Sequence, residues 1–398
     1  MESLIMKFRG LLESVDSSFN RNLYSTINWR ARGIKIEGAR GVGKSTLMLQ
    51  HIKNNLPIQK TLYITLDDLY FRSHNLTEVA EEFYQHGGRH LFLDEVHKYA
   101  NWQTEVKNLL DFKKQLQIVM SGSSILALQR SQADLSRRVI NYLLPGLSFR
   151  EYLGLQHGIL LPVLDFKELL AEHEEIVEGL LKQISSPLAK YKHYYQFGVY
   201  PFFTEGESDY FVKINQLINV IIDYDLIEAR AMEVSSLGQL KKLLYIISCA
   251  VPFTPNTNKL AEDLGIGRNR ILEMLDILEK AQLIRNLRSA VQGMSLMNKP
   301  DKIYLNNTSL VHALADGKAD KGNLRETLFY AHLQDAGLTV SYPKQGDFLV
   351  AEKFTFEVGG KDKTFQQIKG AKDAYVAADD IERGVGNKIP LWLFGLLY

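Results

Sequence analysis

The chain has 398 residues, 45% hydrophobic and 23% charged, which is ordinary for folded globular protein and too long for one core, so two or three domains are expected. Lysine plus arginine total 47 and aspartate plus glutamate 46, and the resulting +1 excludes a molecule-wide basic field; any nucleic-acid contact has to be local. The single cysteine, Cys249, excludes a disulfide framework or cysteine zinc site; in the apolar stretch Leu243 to Val251 it reads as a core residue in a reducing cytoplasm.

No run approaches about 18 uncharged apolar residues, and Glu2, Lys7, Arg9 and Glu13 interrupt the apolar positions of Met1 to Val15, so neither a membrane span nor export is expected. From residue 30 to about 150, short apolar strands alternate with helical patterns, the order that builds a parallel sheet covered by helices. The expected strands are Ile34–Glu37, Leu62–Leu66, Leu91–Asp94, Ile118–Ser121 and Val139–Leu144, with helices at Leu76–Phe83 and Trp102–Leu110. After Pro145-Gly146, Leu161–Leu181 and Phe211–Arg230 read as helical and suit a lid on the nucleotide domain, with a break at Gln196–Pro201. A third region follows from about Ser235. Leu260–Leu264, the turn Gly265-Ile266-Gly267 and Arg268–Ala281 have the layout of a helix-turn-helix, with Ile271, Leu275 and Leu278 on one face. Leu283–Leu287 and Lys302–Leu305 would supply the hairpin of a winged version. The remainder, about Asn323 to Tyr398, reads as a small α/β unit. It has a helix at Leu324–Leu333, strands Leu338–Tyr342, Phe348–Val350 and Thr355–Val358, a helix around Phe365–Lys372, and then Pro390–Phe394. The expected domains are thus 1–152, 153–234, 235–310 and 311–398.

The first strand runs into Gly38-Ala39-Arg40-Gly41-Val42-Gly43-Lys44-Ser45-Thr46, which fits G-x-x-x-x-G-K-[S/T]. Three glycines let the backbone form a nest of N–H groups for phosphate, and the helix that follows points its positive end at it. The pattern implies a nucleoside triphosphate, by general expectation ATP, with Lys44 on the β- and γ-phosphates and Ser45 on Mg²⁺. Leu91-Phe92-Leu93-Asp94-Glu95 then ends an apolar strand in two carboxylates. Asp94 would hold Mg²⁺ through its water shell, and Glu95 would orient and deprotonate the attacking water. The next strand ends in Ser121-Gly122-Ser123-Ser124, hydroxyls placed to touch the γ-phosphate or that water. Arg137 and Arg138, after Asp134-Leu135-Ser136, are candidates to stabilise transition-state charge in a neighbouring subunit, which implies a homo-oligomer.

These motifs, with Leu93–His97, Trp102 and Leu147-Ser148-Phe149-Arg150-Glu151, resemble the bacterial and archaeal AAA-type ATPases that carry a C-terminal domain of unknown function. The resemblance spans nearly the whole chain. It implies Lys44 and Ser45 as phosphate and magnesium residues, Asp94 and Glu95 as the second acidic motif, Ser123 as a sensor, and Arg138 as the arginine of the Ser-Arg-Arg segment. Asp94-Glu95-Val96-His97 also spells D-E-x-H of one helicase superfamily. Those enzymes need a second nucleotide-fold domain, of which the chain after residue 150 shows no pattern, and His97 reads as a loop or helix-start histidine.

Arg268, Asn269 and Arg270 at the start of the second helix suit base or phosphate contacts, whereas Glu273, Asp276 and Glu279 on the same helix oppose them. DNA binding and a purely structural winged helix both stand. Asp347 and Glu357 on consecutive strands, with Glu326 on the preceding helix, resemble the metal-binding skeleton of the PD-(D/E)xK nuclease fold. Gly359 stands where active members carry lysine, so a degenerate binding or assembly module is expected, with Lys361 or Lys369 as migrated candidates. The expectation for the whole is a cytoplasmic α/β P-loop ATPase with helical lid, winged helix and nuclease-like domain, coupling nucleotide state to a partner or DNA. The alternatives are a slow nucleotide switch or scaffold without DNA activity and, third, an ATP-coupled nuclease.

Overall fold

Five short apolar runs fold as strands β1 (Gly33–Gly38), β2 (Thr61–Thr65), β3 (His90–Asp94), β4 (Gln117–Ser123) and β5 (Ile140–Leu143), all parallel, in the order β2-β3-β4-β1-β5. The computed structural model describes residues 1–123, 135–229, 231–250, 252–289, 299–315 and 319–398, so Ser124, Asp134 and Arg230 lie outside the described residues. Central strands of a parallel sheet are covered on both faces and read as unbroken apolar runs. Ile34, Ile36, Leu91, Phe92, Leu93, Ile118, Val119 and Met120 are accordingly sealed from solvent. The helices Glu2–Ser14, Lys44–Asn55, Leu76–Gln85 and Trp102–Phe112 each turn an apolar stripe inward, and Asn75 caps the third by accepting from the Glu78 N–H.

The chain divides into two compact units, Met1–Pro145 with Asp223–Glu233, and Gly146–Ile222 with Val234–Tyr398. Of the stretches expected as lid, helix-turn-helix and nuclease-like domain, 153–222 and 234–398 fall within the second unit and 223–233 within the first. Within the second unit, Ser148 and Glu151 form a reciprocal capping box on the helix Phe149–His157. The expected helix Leu161–Leu181 starts later, at Phe166, where Asp165 caps it after Pro162 has held the chain extended. Of the helix expected over Phe211–Arg230, Tyr210–Val220 is α-helical, Ile221–Asp225 widens into a π-helix and Leu226–Glu228 is a last short α-helix.

The helices Thr257–Leu264 and Arg268–Lys280 meet at Gly265, whose left-handed conformation (φ 64°) ends the first. They lead into an antiparallel pair, β6 (Ile284–Leu287) and β7 (Lys302–Leu305), and Phe253 bridges to Ile303 on β7. Cys249 is exposed, which corrects the expectation of a core cysteine: Leu240, Leu243, Leu244 and Ile247 form the buried face of the helix Leu237–Ser248, and Cys249 follows its end.

The last sheet runs β8 (Val340–Ser341), β9 (Phe348–Val350), β10 (Phe354–Gly359), β11 (Ala374–Ala378) and β12 (Lys388–Pro390), antiparallel up to β10 and parallel beyond it. The helix expected around Phe365–Lys372 is a single 3₁₀ turn, Phe365–Ile368, and β11 follows directly. Pro390 ends β12, and Leu391–Phe394 is a buried helical turn. No helix among the described residues is long and apolar enough to cross a membrane.

Candidate nucleotide site

The phosphate loop follows the C-terminal end of β1, the edge at which open parallel sheets bind ligands. Gly41 and Gly43 take positive φ (81° and 95°), which only glycine adopts without strain, and Gly43 starts the helix Lys44–Asn55. A Cβ on Gly38 would meet the Leu144 carbonyl oxygen at 2.3 Å, so that position needs glycine too. Arg21, which carries no motif, is buried and donates to the carbonyls of Val42 (2.6 Å) and Pro145 (2.7 Å), bracing the loop from outside. Lys44 is buried, and its ammonium donates to the Gly38 and Ala39 carbonyls at 3.0 and 2.9 Å. Burial pulls it below its ordinary pKa, against the opposing pull of Glu95 and Asp94.

Asp94 ends β3 beside this loop. Tyr63, across the β2–β3 pair, donates its hydroxyl to Asp94 Oδ2. Ser121 Oγ donates to Asp94 Oδ1 and accepts from the Glu95 N–H at 3.3 Å. Both carboxylate oxygens are thus aimed by hydroxyls. Sequence reasoning missed Tyr63 altogether, and Ser121, one of the cluster of hydroxyls expected to touch the γ-phosphate or the attacking water, hydrogen-bonds the Asp94 carboxylate. Ser123 lies buried two residues on, at the end of β4. Glu95 adopts a left-handed conformation (φ 52°), a strain that tends to gather at functional sites. Burial pushes its carboxyl above the ordinary range, an effect that Lys44 opposes and Asp94 reinforces. His97 Nδ1 lies 3.3 Å from Glu95 Oε2 but is not aligned as a hydrogen bond, and burial holds the ring neutral with a pKa of about 4.

Ser45, in the first turn of the helix after the loop, and Asp94, at the end of β3, are oxygen donors of the kind that fits Mg²⁺, a hard cation held mainly through phosphates and water with few protein ligands. Arg40 and Lys98 also bear on the site, through Asp225. Arg138 does not: it precedes β5, its carbonyl abuts Gly33 at the opposite end of β1, and its guanidinium pairs with Asp111 (2.7 and 3.0 Å).

In the second unit, Glu326 Oε2 accepts from Tyr304 (2.7 Å) and Lys302 (3.3 Å), and Lys302 lies 3.6 Å from Asp347. Asp347 also accepts from the Val358 N–H, and Glu357 is paired at 2.5 Å with Lys363. The structure therefore brings Glu326, Asp347 and Glu357 to one region but puts Lys363 on the glutamate. Lys361 contributes only its carbonyl, to Lys388. Burial raises the Glu326 and Glu357 carboxyls, with Asp347 adding to both.

A family model described as an AAA domain matches residues 31–153, and one described as a domain of unknown function (DUF8612) matches residues 188–321. Uncharacterized protein MJ1637 of Methanocaldococcus jannaschii is 27% identical over 386 residues, 89% of this chain and 81% of that one. AMPPCP-bound DnaA from Aquifex aeolicus aligns over 69% of this chain and 86% of its own at 15% identity and a TM-score of 0.27, too distant for detail to transfer. The phosphate loop and the β2-β3-β4-β1-β5 order agree with the match over residues 31–153, and that stretch has an AAA-type P-loop fold.

Proposed function

We propose that this protein binds ATP with Mg²⁺ and hydrolyses it, Lys44 and the 38–46 loop holding the phosphates and Ser45 and Asp94 the ion. The observation that carries this reading is the hydroxyl chain Tyr63–Asp94–Ser121 beside the phosphate loop, which ends at the Glu95 backbone. Bound Mg²⁺ would neutralise phosphate charge and polarise the γ-phosphoryl. Glu95 takes the proton of the attacking water, a role its raised pKa suits. Ser123 reads the phosphate end of the site. Arg138, at the far end of its own sheet, acts on a second copy's site in a homo-oligomer. Lys44→Ala should lose ATP binding, and Glu95→Gln should bind ATP but stop turnover; unchanged phosphate release in both variants removes the hypothesis.

The second unit couples nucleotide state to a partner through a winged helix and a nuclease-like domain that does not cut. Arg268 and Asn269 are exposed at the start of the Arg268–Lys280 helix and available to DNA. Of the opposing acids, Glu279 is taken up by Arg288 and Asn286, and Asp276 by Lys280. Lys302 and Lys363 sit on the three carboxylates where a nuclease would need cations, which favours binding or assembly over cleavage. Turnover and light scattering, each with and without DNA, distinguish a DNA-coupled ATPase from a slow nucleotide switch: strong stimulation supports the first and indifference the second.

A further inference from the structure

Asp225 lies far along the chain from every nucleotide motif, yet its side chain is fully buried in the first unit. Both its oxygens lie against Arg40 of the phosphate loop (3.3 and 3.2 Å), and Oδ1 also takes Lys98 at 3.0 Å. Lys98 is the third residue after Glu95, and its N–H donates to the Glu95 carbonyl, so its position follows that of the acidic pair. Glu228, three residues after Asp225 and hence on the same helical face, holds Lys98 as well. Asp225 closes the π-helix Ile221–Asp225, a rare local widening that is frequent at functional sites.

We propose that Asp225 competes with the γ-phosphate for Arg40 and Lys98, so that a nucleoside triphosphate takes these cations and releases the segment 223–233, whereas a diphosphate leaves it held. This rests on the nucleotide-site reading above. Arg40 is the third residue of the phosphate loop and Lys98 is tied to Glu95, so both cations belong to the elements that would hold the terminal phosphate and the attacking water. Asp225 is close enough to act electrostatically on Lys44, Glu95 and His97, which places its carboxylate in the same field as the phosphates. Burial alone would lower the Lys98 ammonium, but Glu228 and Asp225 more than offset it and hold it charged. A terminal phosphate that takes Arg40 and Lys98 leaves Asp225 without partners, and a buried carboxylate left so is driven toward water. Asp225 is therefore a positioning residue acting through Arg40 and Lys98. The segment it anchors is a covalent part of the chain that leads on to the partner-binding unit.

The test uses the full chain with Mg²⁺ and either AMPPNP or ADP. Amide exchange is followed at Leu226, Ala229 and Ala231, of which Ala229 donates to the Asp225 carbonyl and Ala231 to that of Leu226. AMPPNP should speed exchange there about tenfold over ADP, and Asp225→Asn should tighten AMPPNP about tenfold with ADP changed less than about threefold, inside the ~5–150-fold span of ordinary coupling. Equal exchange with the two nucleotides, or an Asp225→Asn variant that shifts both affinities alike, overturns the proposal. If that variant fails to fold, the exchange of the native protein decides alone. If neither nucleotide binds the native protein, the nucleotide reading fails and this proposal with it; binding without an exchange difference overturns this one only.

Discussion

Ser121→Ala tests whether the hydroxyl chain is functional or only packing. Ser121 has no solvent exposure, donates to Asp94 Oδ1 and accepts from the Glu95 N–H, so it ties both acidic residues to β4. A hydrogen bond to a charged group contributes about 1.5–3 kcal/mol, and here the Glu95 N–H remains on the same carboxylate oxygen at 3.1 Å, so a loss near ~2 kcal/mol is expected. For a body the size of the first unit that lowers its melting temperature by about 4–8 °C. Glu95 is strained at φ 52° and loses one of its two restraints, and displacing a catalytic group by about 1 Å can cost ~100-fold, so turnover should fall about 10- to 100-fold. ATP affinity should barely change, because the loop is held independently by Arg21 and its own glycines. Phosphate release, nucleotide titration and calorimetry on the same preparation provide all three readings. Native turnover refutes the reasoning, and a melting loss without a kinetic one reduces Ser121 to packing.

Because burial raises the Glu95 carboxyl, its base form is lost at a higher pH than that of a free glutamate, and the acid limb of the turnover profile should be displaced upward; a limb in the ordinary glutamate range would contradict this. His332 is buried against Tyr191 (3.0 Å) and held neutral, its pKa lowered from 6.5 to about 3. Between those values the unfolded chain binds a proton that the folded one refuses, so stability falls with pH there, by about 2.7 kcal/mol from this group at pH 4.5. Urea titrations at pH 7 and 4.5 should show His332→Gln losing less than the native protein by about that amount, and equal losses would refute it. Gly265→Ala forces a side chain into a left-handed cap with open space around it, so it should cost about 1–2 kcal/mol of backbone strain alone; an unchanged denaturation midpoint would show that the turn relaxes.

The five strands of the first sheet were legible because each is short, apolar and ended by a turn signal, and the β6–β7 hairpin was legible for the same reason. The carboxyl-terminal sheet was less so. Ala374–Ala378 is too weakly apolar to stand out beside the lysines around it, and it becomes a strand only because β10 offers a parallel edge. The capping pair Ser148 and Glu151 was a usable signal for the helix Phe149–His157, and it was read only as part of a family motif. Spacing selected Lys361, but the chain after β10 bends at Gly359-Gly360 so that Lys363 folds back over Gly359, where a Cβ would meet its side chain at 2.7 Å. The missing lysine and the missing side chain at Gly359 are thus linked: the glycine makes room for the cation that replaces it.

The same limit governs the nucleotide site. Lys44, Asp94 and Glu95 announce themselves because their chemistry needs a local backbone shape, a glycine nest or a strand tip, and local shape is written in adjacent residues. Tyr63, Arg21 and Asp225 need no such shape. Tyr63 looks like any strand aromatic, Arg21 like any surface arginine, and Asp225 like one acid in an amphipathic helix; each acquires a role only when another stretch of chain is laid beside it. Of the three, Asp225 is buried and answered by two cations, and removing one partner of such a group costs far more than an exposed pair would, about 3–5 kcal/mol. A carboxylate that costly to strand ties the 223–233 segment to whatever holds Arg40 and Lys98, and so makes the nucleotide's terminal phosphate able to decide where that segment goes.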